Sequence, residues 1–313
     1  MEELEPGIRR HTFALPLGID HVHTYFLRSS SGGYILVDTG LGTRDAEARW
    51  RPVLDELDAP VEAIVVTHMH PDHVGGARDV AGLTGAPVYQ GRDDHAQCVA
   101  AWGRRNPGRF KAYWLEHGMP ESTVENLFAE SERLLAAVHW VEEPARLLDA
   151  GDDVDGWRVE VLRGHADGHI VLVRGDVMIA GDTILNGITP AIGLYPDSRP
   201  DPLGDYLQTL ARIEELGLRV AYSGHGTAIA DPAERAREIR RHHDDRLALA
   251  EAALDGRPQS AYEVSLALFQ GDLPTTLRRF ATAESLAHLE RLVLEGRAER
   301  APGARYHSVH GAA

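Results

Sequence analysis

Three histidines and an aspartate fall within six residues of the stretch Thr67-His68-Met69-His70-Pro71-Asp72-His73-Val74-Gly75-Gly76. His68 and His70 alternate as in an extended chain and so face one side, while Pro71 forces a bend that turns Asp72 and His73 towards an adjacent volume. Imidazole nitrogens and carboxylate oxygens suit zinc, iron and manganese. The competing explanation is a chance cluster in a chain with 17 histidines. At this composition the pattern His-x-His-x-Asp-His arises by accident about 0.004 times per chain, so a metal motif is the better account.

The flanking residues say what holds the motif. Ala63-Ile64-Val65-Val66 is an apolar, β-branched run that reads as a buried strand. The motif thus occupies the turn at a strand's C-terminal end, where α/β sheets hold ligands. The same device recurs: an apolar run, then glycine, then a ligand-type side chain. It appears in Gly164-His165-Ala166-Asp167-Gly168-His169, in Gly181-Asp182-Thr183 and in Ser223-Gly224-His225-Gly226. Glycine there lets the backbone approach closely and leaves His or Asp projecting. Asp38, in Asp38-Thr39-Gly40, also ends an apolar run; it either orients a ligand or caps a loop.

Strands are expected at 11–16, 22–28, 34–37, 63–66, 87–89, 146–148, 157–162, 170–173, 177–180 and 220–222, and helices at about 43–57 and 73–83. Residues 91–145 lack any strand pattern and read as a helical insertion over the mouth of the site. Its aromatics either form an apolar lid or bury the insertion against the body. His95, Cys98, His117 and His139 lack ligand spacing and read as ordinary residues.

The chain has 313 residues and a net charge of −16, with Lys111 its single lysine. Such an anionic molecule repels polyanions unless it carries a local basic patch. No run of 18 apolar residues signals a membrane span. The acidic N-terminus lacks the apolar region of a secretory signal, and lone Cys98 allows no internal disulfide, so a cytoplasmic location is expected. From Pro232 onward there are 12 basic and 12 acidic side chains, so the whole net charge lies before it. That change divides the chain into 1–231 and 232–313.

His68-x-His70-x-Asp72-His73, followed in order by His165, Asp182 and His225, resembles the metallo-β-lactamase superfamily over about residues 10–230. The resemblance implies an α/β fold, an αββα sandwich with a two-metal site at the sheet edge. It implies that His68, His70 and His165 hold one ion, that Asp72, His73 and His225 hold the other, and that Asp182 bridges them. Asp38 and His169 match positions that support ligands. Two divalent ions, zinc above all and otherwise iron or manganese, would activate a bridging hydroxide, with Asp72 as the catalytic proton acceptor. Export and a missing bridging aspartate mark the true β-lactamases, so a thioester, ester or lactone is the expected substrate. Tyr195 lies in a loop after Asp182, where it either contacts substrate or packs.

The C-terminal unit reads as helices at 232–254, 260–269 and 275–294, then a hairpin around Pro302-Gly303. This winged-helix-like α+β pattern resembles the tail of the branch that includes β-lactamase-like protein 2, an endoribonuclease type. Arg278, Arg279, Arg300 and Arg305 are then candidate nucleic-acid contacts, and an endoribonuclease or phosphodiesterase is the alternative function. Zero net charge and the neighbouring glutamates favour a structural role instead, closing the cleft or joining two copies in a homodimer. The expected partner is a small acyl substrate, with no nucleic acid and no membrane.

Overall fold

The computed structural model describes residues 1–16, 18–103, 106–254 and 257–309. Seven strands in chain order form one sheet: β1 (Glu2–Glu5), β2 (Ile8–Ala14), β3 (His21–Arg28), β4 (Tyr34–Val37), β5 (Val61–Val66), β6 (Val88–Gly91) and β7 (Arg146–Leu148). Pairing is antiparallel up to β4 and parallel beyond it. A second sheet holds β8 (Asp153–Val154), β9 (Trp157–Val161), β10 (Ile170–Arg174), β11 (Val177–Gly181) and β12 (Val220–Ser223), with only β11 and β12 parallel.

Parallel neighbours need crossovers, and helices supply them. These are α1 (Ala46–Asp55), then α2 (Pro71–Val74) and α3 (Ala77–Thr84), then α4 (Arg92–Cys98), α5 (Pro107–Glu116) and α6 (Glu121–Leu135), and α7 (Pro202–Glu215) between β11 and β12. Sequence reading had missed α7, although Asp201 caps it by accepting from the Gly204 N–H and Pro202 stands at its first turn. The helix expected at 73–83 is broken. A Cβ on Gly75 would lie 2.1 Å from Pro71 O, and one on Gly76 2.6 Å from Thr39 O, so close backbone packing splits it into α2 and α3.

The alternation of side chains along each strand builds a four-layer αββα sandwich. Ile64 and Val66 of β5 face α1 and α3 with Trp50, Val53 and Val80. Val65 points the other way, between the sheets, with Trp157, Leu172 and Ile179. On the second sheet, Val171, Met178 and Ala180 face Leu203, Tyr206 and Ile213 of α7. Strands buried on both faces explain the continuous apolar runs.

The C-terminal helices α8 (Pro232–Ala252), α9 (Ala261–Leu268) and α10 (Thr275–Leu294) continue this last layer. Ile239, Leu247, Val264, Leu286 and Leu289 belong to the same apolar cluster as Met178 and Tyr206. Ser260 and Glu263 make the reciprocal capping box that starts α9. A three-stranded sheet ends the unit: β13 (Gln259–Ser260), β14 (Ala298–Ala301) and β15 (Arg305–Ser308). Among the described residues, no helix is long and apolar enough to cross a membrane.

Two histidines are sealed in the joint between α8 and α10. His288 Nδ1–H donates to Glu284 O (2.7 Å), so its Nε2 accepts from His243 Nδ1–H (3.3 Å), and His243 Nε2 has no partner. Burial, reinforced by neighbouring imidazoles and Arg246, pushes His288 down to about 4 and His243 to about 2. As pH falls below the ordinary value of 6.5, the unfolded chain takes these protons and the folded chain refuses them. Stability therefore declines from about pH 6.5 towards 4. A His243→Leu/His288→Leu variant is expected to lose less urea resistance than the parent between pH 7 and pH 5; equal losses would show that these groups do not couple folding to pH.

Candidate metal centre

The ends of β5, β9, β11 and β12 converge. The turn after β5 brings His68, His70, Asp72 and His73, the loop after β9 brings His165, the end of β11 brings Asp182, and the end of β12 brings His225. Three ligand-type groups form there, His68–His70–His165, His68–His73–Asp182 and Asp72–His73–His225, with donor atoms within 4.8 Å of one another. All seven residues picked from sequence thus meet in one volume. Asp182 lies between the two outer groups: its Oδ2 is 3.7 Å from His165 Nε2 and 3.1 Å from His225 Nε2, and its Oδ1 is 3.4 Å from His73 Nε2.

Hydrogen bonds aim the imidazoles. His73 Nδ1–H donates to Asp38 Oδ2 (2.8 Å), His165 Nδ1–H to Ala191 O (3.0 Å) and His225 Nδ1–H to His21 O (2.6 Å). Each bond fixes the tautomer that leaves the Nε2 lone pair facing inward. Those three Nε2 atoms and Asp182 Oδ1 are buried and have no hydrogen-bond partner. Buried polar atoms normally find partners, so four unpaired atoms facing one volume fit a metal centre.

The electrostatics agree. Burial and mutual repulsion hold His68, His70 and His165 neutral, with His70 at about 3. Burial also opposes a proton on His73 and His225, yet Asp182 and its neighbours outweigh it and raise both, His225 to about 10. This half of the site demands positive charge, and protons supply it when no cation does.

Asp38 hydrogen-bonds to both Thr67 and His73. It adopts φ 62°, unusual for a residue with a Cβ, and accepts from the Thr67 N–H and hydroxyl (both 2.8 Å) as well as from His73. His169 Nε2 accepts from the Asp182 N–H (3.1 Å), and its Nδ1 pairs with the Thr183 hydroxyl (3.0 Å), so both its nitrogens hold the Asp182 turn while its ring stacks on His68, centroids 4.5 Å apart. Tyr195 instead packs: its ring lies edge-on to Trp114, 6.1 Å away, in an apolar cluster with Val124, Leu127 and Ala283 of α10. Phe110, Tyr113 and Trp114 of the insertion pack in the same cluster as Ala283 of α10, while Trp102 and Trp140 pack against the outer layer of the first sheet.

Sequence reasoning missed Asp94. Its Oδ1 accepts from the Met69 N–H (2.8 Å) while Trp102 Nε1–H donates to Met69 O (3.0 Å), so the insertion grips both sides of the residue between His68 and His70. Asp94 is fully buried, and Gln90 Nε2 binds its other oxygen at 2.6 Å. Only its place in the first turn of α4, directly after β6, hinted at this. Losing such an orienting contact costs about 10- to 100-fold in metal affinity. That weakening is expected for Asp94→Ala in competition with a chelator, with Asp94→Asn closer to the parent; unchanged affinity in both variants would remove the role.

A groove of about 460 Å³ opens beside His225, between the β2–β3 turn and the loop after β11.

A sequence model described as the metallo-β-lactamase superfamily matches residues 17–225, and one for a metallo-β-lactamase-like C-terminal domain matches residues 247–309. A solved metallo-β-lactamase family protein from Thermus thermophilus is 38% identical, covers 98% of this chain and all of its own, and superposes with a TM-score of 0.84. A probable metallo-hydrolase of Bacillus subtilis is 26% identical over 90% of both chains. An atrochrysone carboxyl ACP thioesterase of Aspergillus fumigatus is 24% identical over 69% of this chain, and a β-lactamase-like protein 2 homologue of Drosophila melanogaster 27% over 72%. The chain spans 54% and 65% of those last two relatives.

Proposed function

Because the chain belongs to the metallo-β-lactamase superfamily, we propose that it is a hydrolase that uses two divalent ions, zinc first among the candidates, to cleave a thioester, ester or lactone. The observation that carries this reading is the set of unpartnered Nε2 atoms on His73, His165 and His225 around Asp182 Oδ1. In it His68, His70 and His165 would hold one ion and Asp72, His73 and His225 the other, with Asp182 placed to serve both. Bound there, such ions lower the pKa of water and polarise an acyl oxygen.

The protein's own groups do the rest. Asp38 and the carbonyls of Ala191 and His21 keep the imidazoles in register. Asp72 Oδ2, 3.3 Å from His225 Nε2, is the group in place to accept a proton and return it to the leaving group. Asp72→Ala is expected to lower kcat by about 10²- to 10⁴-fold. Full turnover with both metals retained would dismiss that role.

Acyl transfer is favoured over nucleic-acid cleavage because the C-terminal arginines are occupied. Arg278 is buried and donates to the carbonyls of Ser265, Phe269 and Gly271, capping α9. Arg300 pairs with Glu290, and Arg305 with Glu263 at 2.8 Å. Arg279 lies over the rings of Phe280 and Tyr195. The unit's role in this reading is structural. Metal analysis of the purified protein, followed by thioester, ester, lactone and single-stranded RNA panels, tests the proposal: metal-dependent acyl turnover is expected, and RNA cleavage without it would overturn the reading.

A further inference from the structure

The geometry points to the groove beside His225 as a pocket for the hydrocarbon chain of the substrate, with Ile19 and Ile188 as the residues that set chain-length preference. This rests on the acyl-hydrolase reading and names the kind of acyl group it serves.

Residues 18–21, 186–188 and 225–226 line the groove, and its volume of about 460 Å³ falls within the range of small-molecule sites. His225 is among the lining residues, so the groove adjoins the candidate ligand cluster and a chain lying in it can present its carboxyl carbon there. Two of the eight large apolar side chains that are exposed among the described residues sit on this one feature, Ile19 at 37% and Ile188 at 49%. A third, Leu277, backs the turn, 4.0 Å from where a Cβ on Gly18 would stand. Scattered exposed apolar residues need no explanation, but a gathering of them at a reactive centre does.

Three polar side chains of the groove have partners within the protein. Asp20 accepts from His21 Nδ1–H at 2.5 Å, His21 Nε2 accepts from the Gly226 N–H at 2.9 Å, and Asn186 donates to the Thr227 hydroxyl at 2.8 Å. No arginine or lysine lines it. Arg235 lies against the loop after β11 but donates to the carbonyls of Leu185 and Ile188, both at 2.8 Å. Away from His225 a phosphate-bearing moiety would find no arginine or lysine to pair with, whereas an alkyl chain would displace water from Ile19 and Ile188.

Two measurements test this. With the metal-loaded protein and acyl thioesters of one thiol from two to ten carbons, kcat/KM is expected to rise about two- to fourfold per methylene until the groove is filled. Ile188→Asp and Ile19→Asp flatten that rise, and Leu249→Asp, on an exposed face of α8, does not. Separately, calorimetry on the protein as purified should show 1-octanol binding more tightly than 1-butanol, with the difference lost in Ile188→Asp. Thioester turnover with a slope that is flat, or the same in the aspartate variants, overturns the pocket and leaves the hydrolase reading standing. Octanol binding that responds to Ile188→Asp without turnover of any acyl compound supports the pocket and removes the hydrolase reading.

Discussion

Asp182→Ala is expected to lower kcat/KM by about 10³-fold or more, on the order of 4 kcal/mol of transition-state stabilisation, and to release metal. Among the described residues, Asp182 alone has a carboxylate between the two outer candidate ligand groups: its two oxygens stand 3.4 Å from His73, 3.7 Å from His165 and 3.1 Å from His225. Removing it takes away the negative charge that draws positive charge to this half of the site and holds His73 and His225 high. Asp182→Asn keeps the shape and removes the charge, so it separates the two contributions. Metal content and kcat/KM, measured on the same preparations, check the expectation. Full activity in the alanine variant would show that the carboxylate is not shared.

Gly224→Ala is the second large effect, and it comes from a single methyl group. A Cβ at Gly224 would stand 2.4 Å from Asp182 Oδ1 and 2.6 Å from His73 Cε1. The backbone has no room to retreat, because the Gly224 N–H donates to Gly181 O and its carbonyl accepts from the His23 N–H, both at 2.7 Å. Asp182 or His73 must move instead. A shift of about 1 Å at a reacting centre costs on the order of 10²-fold in rate, and here it also strikes two candidate ligands. The variant should fold with near-parental circular dichroism, bind metal more weakly and lose at least that factor in kcat/KM. Unimpaired metal binding would mean that the β11–β12 ends adjust more freely than their hydrogen bonds indicate.

The residues that meet in the candidate metal centre were legible in the sequence because they are chemically distinctive and announced by glycine at strand ends. Helices α9 and α10 were legible for local reasons: the Ser260–Glu263 box marks one start, and Glu295-Gly296 marks the other end. What could not be read depends on which segments become neighbours. Asp94 looks like any acid in a helix's first turn until the fold lays it against Met69. Arg278 and Arg279 look alike in sequence, yet helix geometry sets adjacent residues about 100° apart. One is buried under α9 carbonyls and the other lies over Tyr195 and Phe280. Likewise β1 and β8 are short strands whose pairing partners, not their composition, create them.

The shared apolar layer has a consequence for how the protein is made. The strands β10 and β11 leave the ribosome well before α8, α9 and α10, which help cover the outward residues Val171, Met178 and Ala180. Nascent chains emerge at about 5–20 residues per second, so that flank of the second sheet stays partly bare for some seconds after Asp182 has appeared. Loading of the ligand cluster should therefore follow chain release, and a polypeptide stalled just past His225 should be a substrate for chaperones rather than a smaller working enzyme.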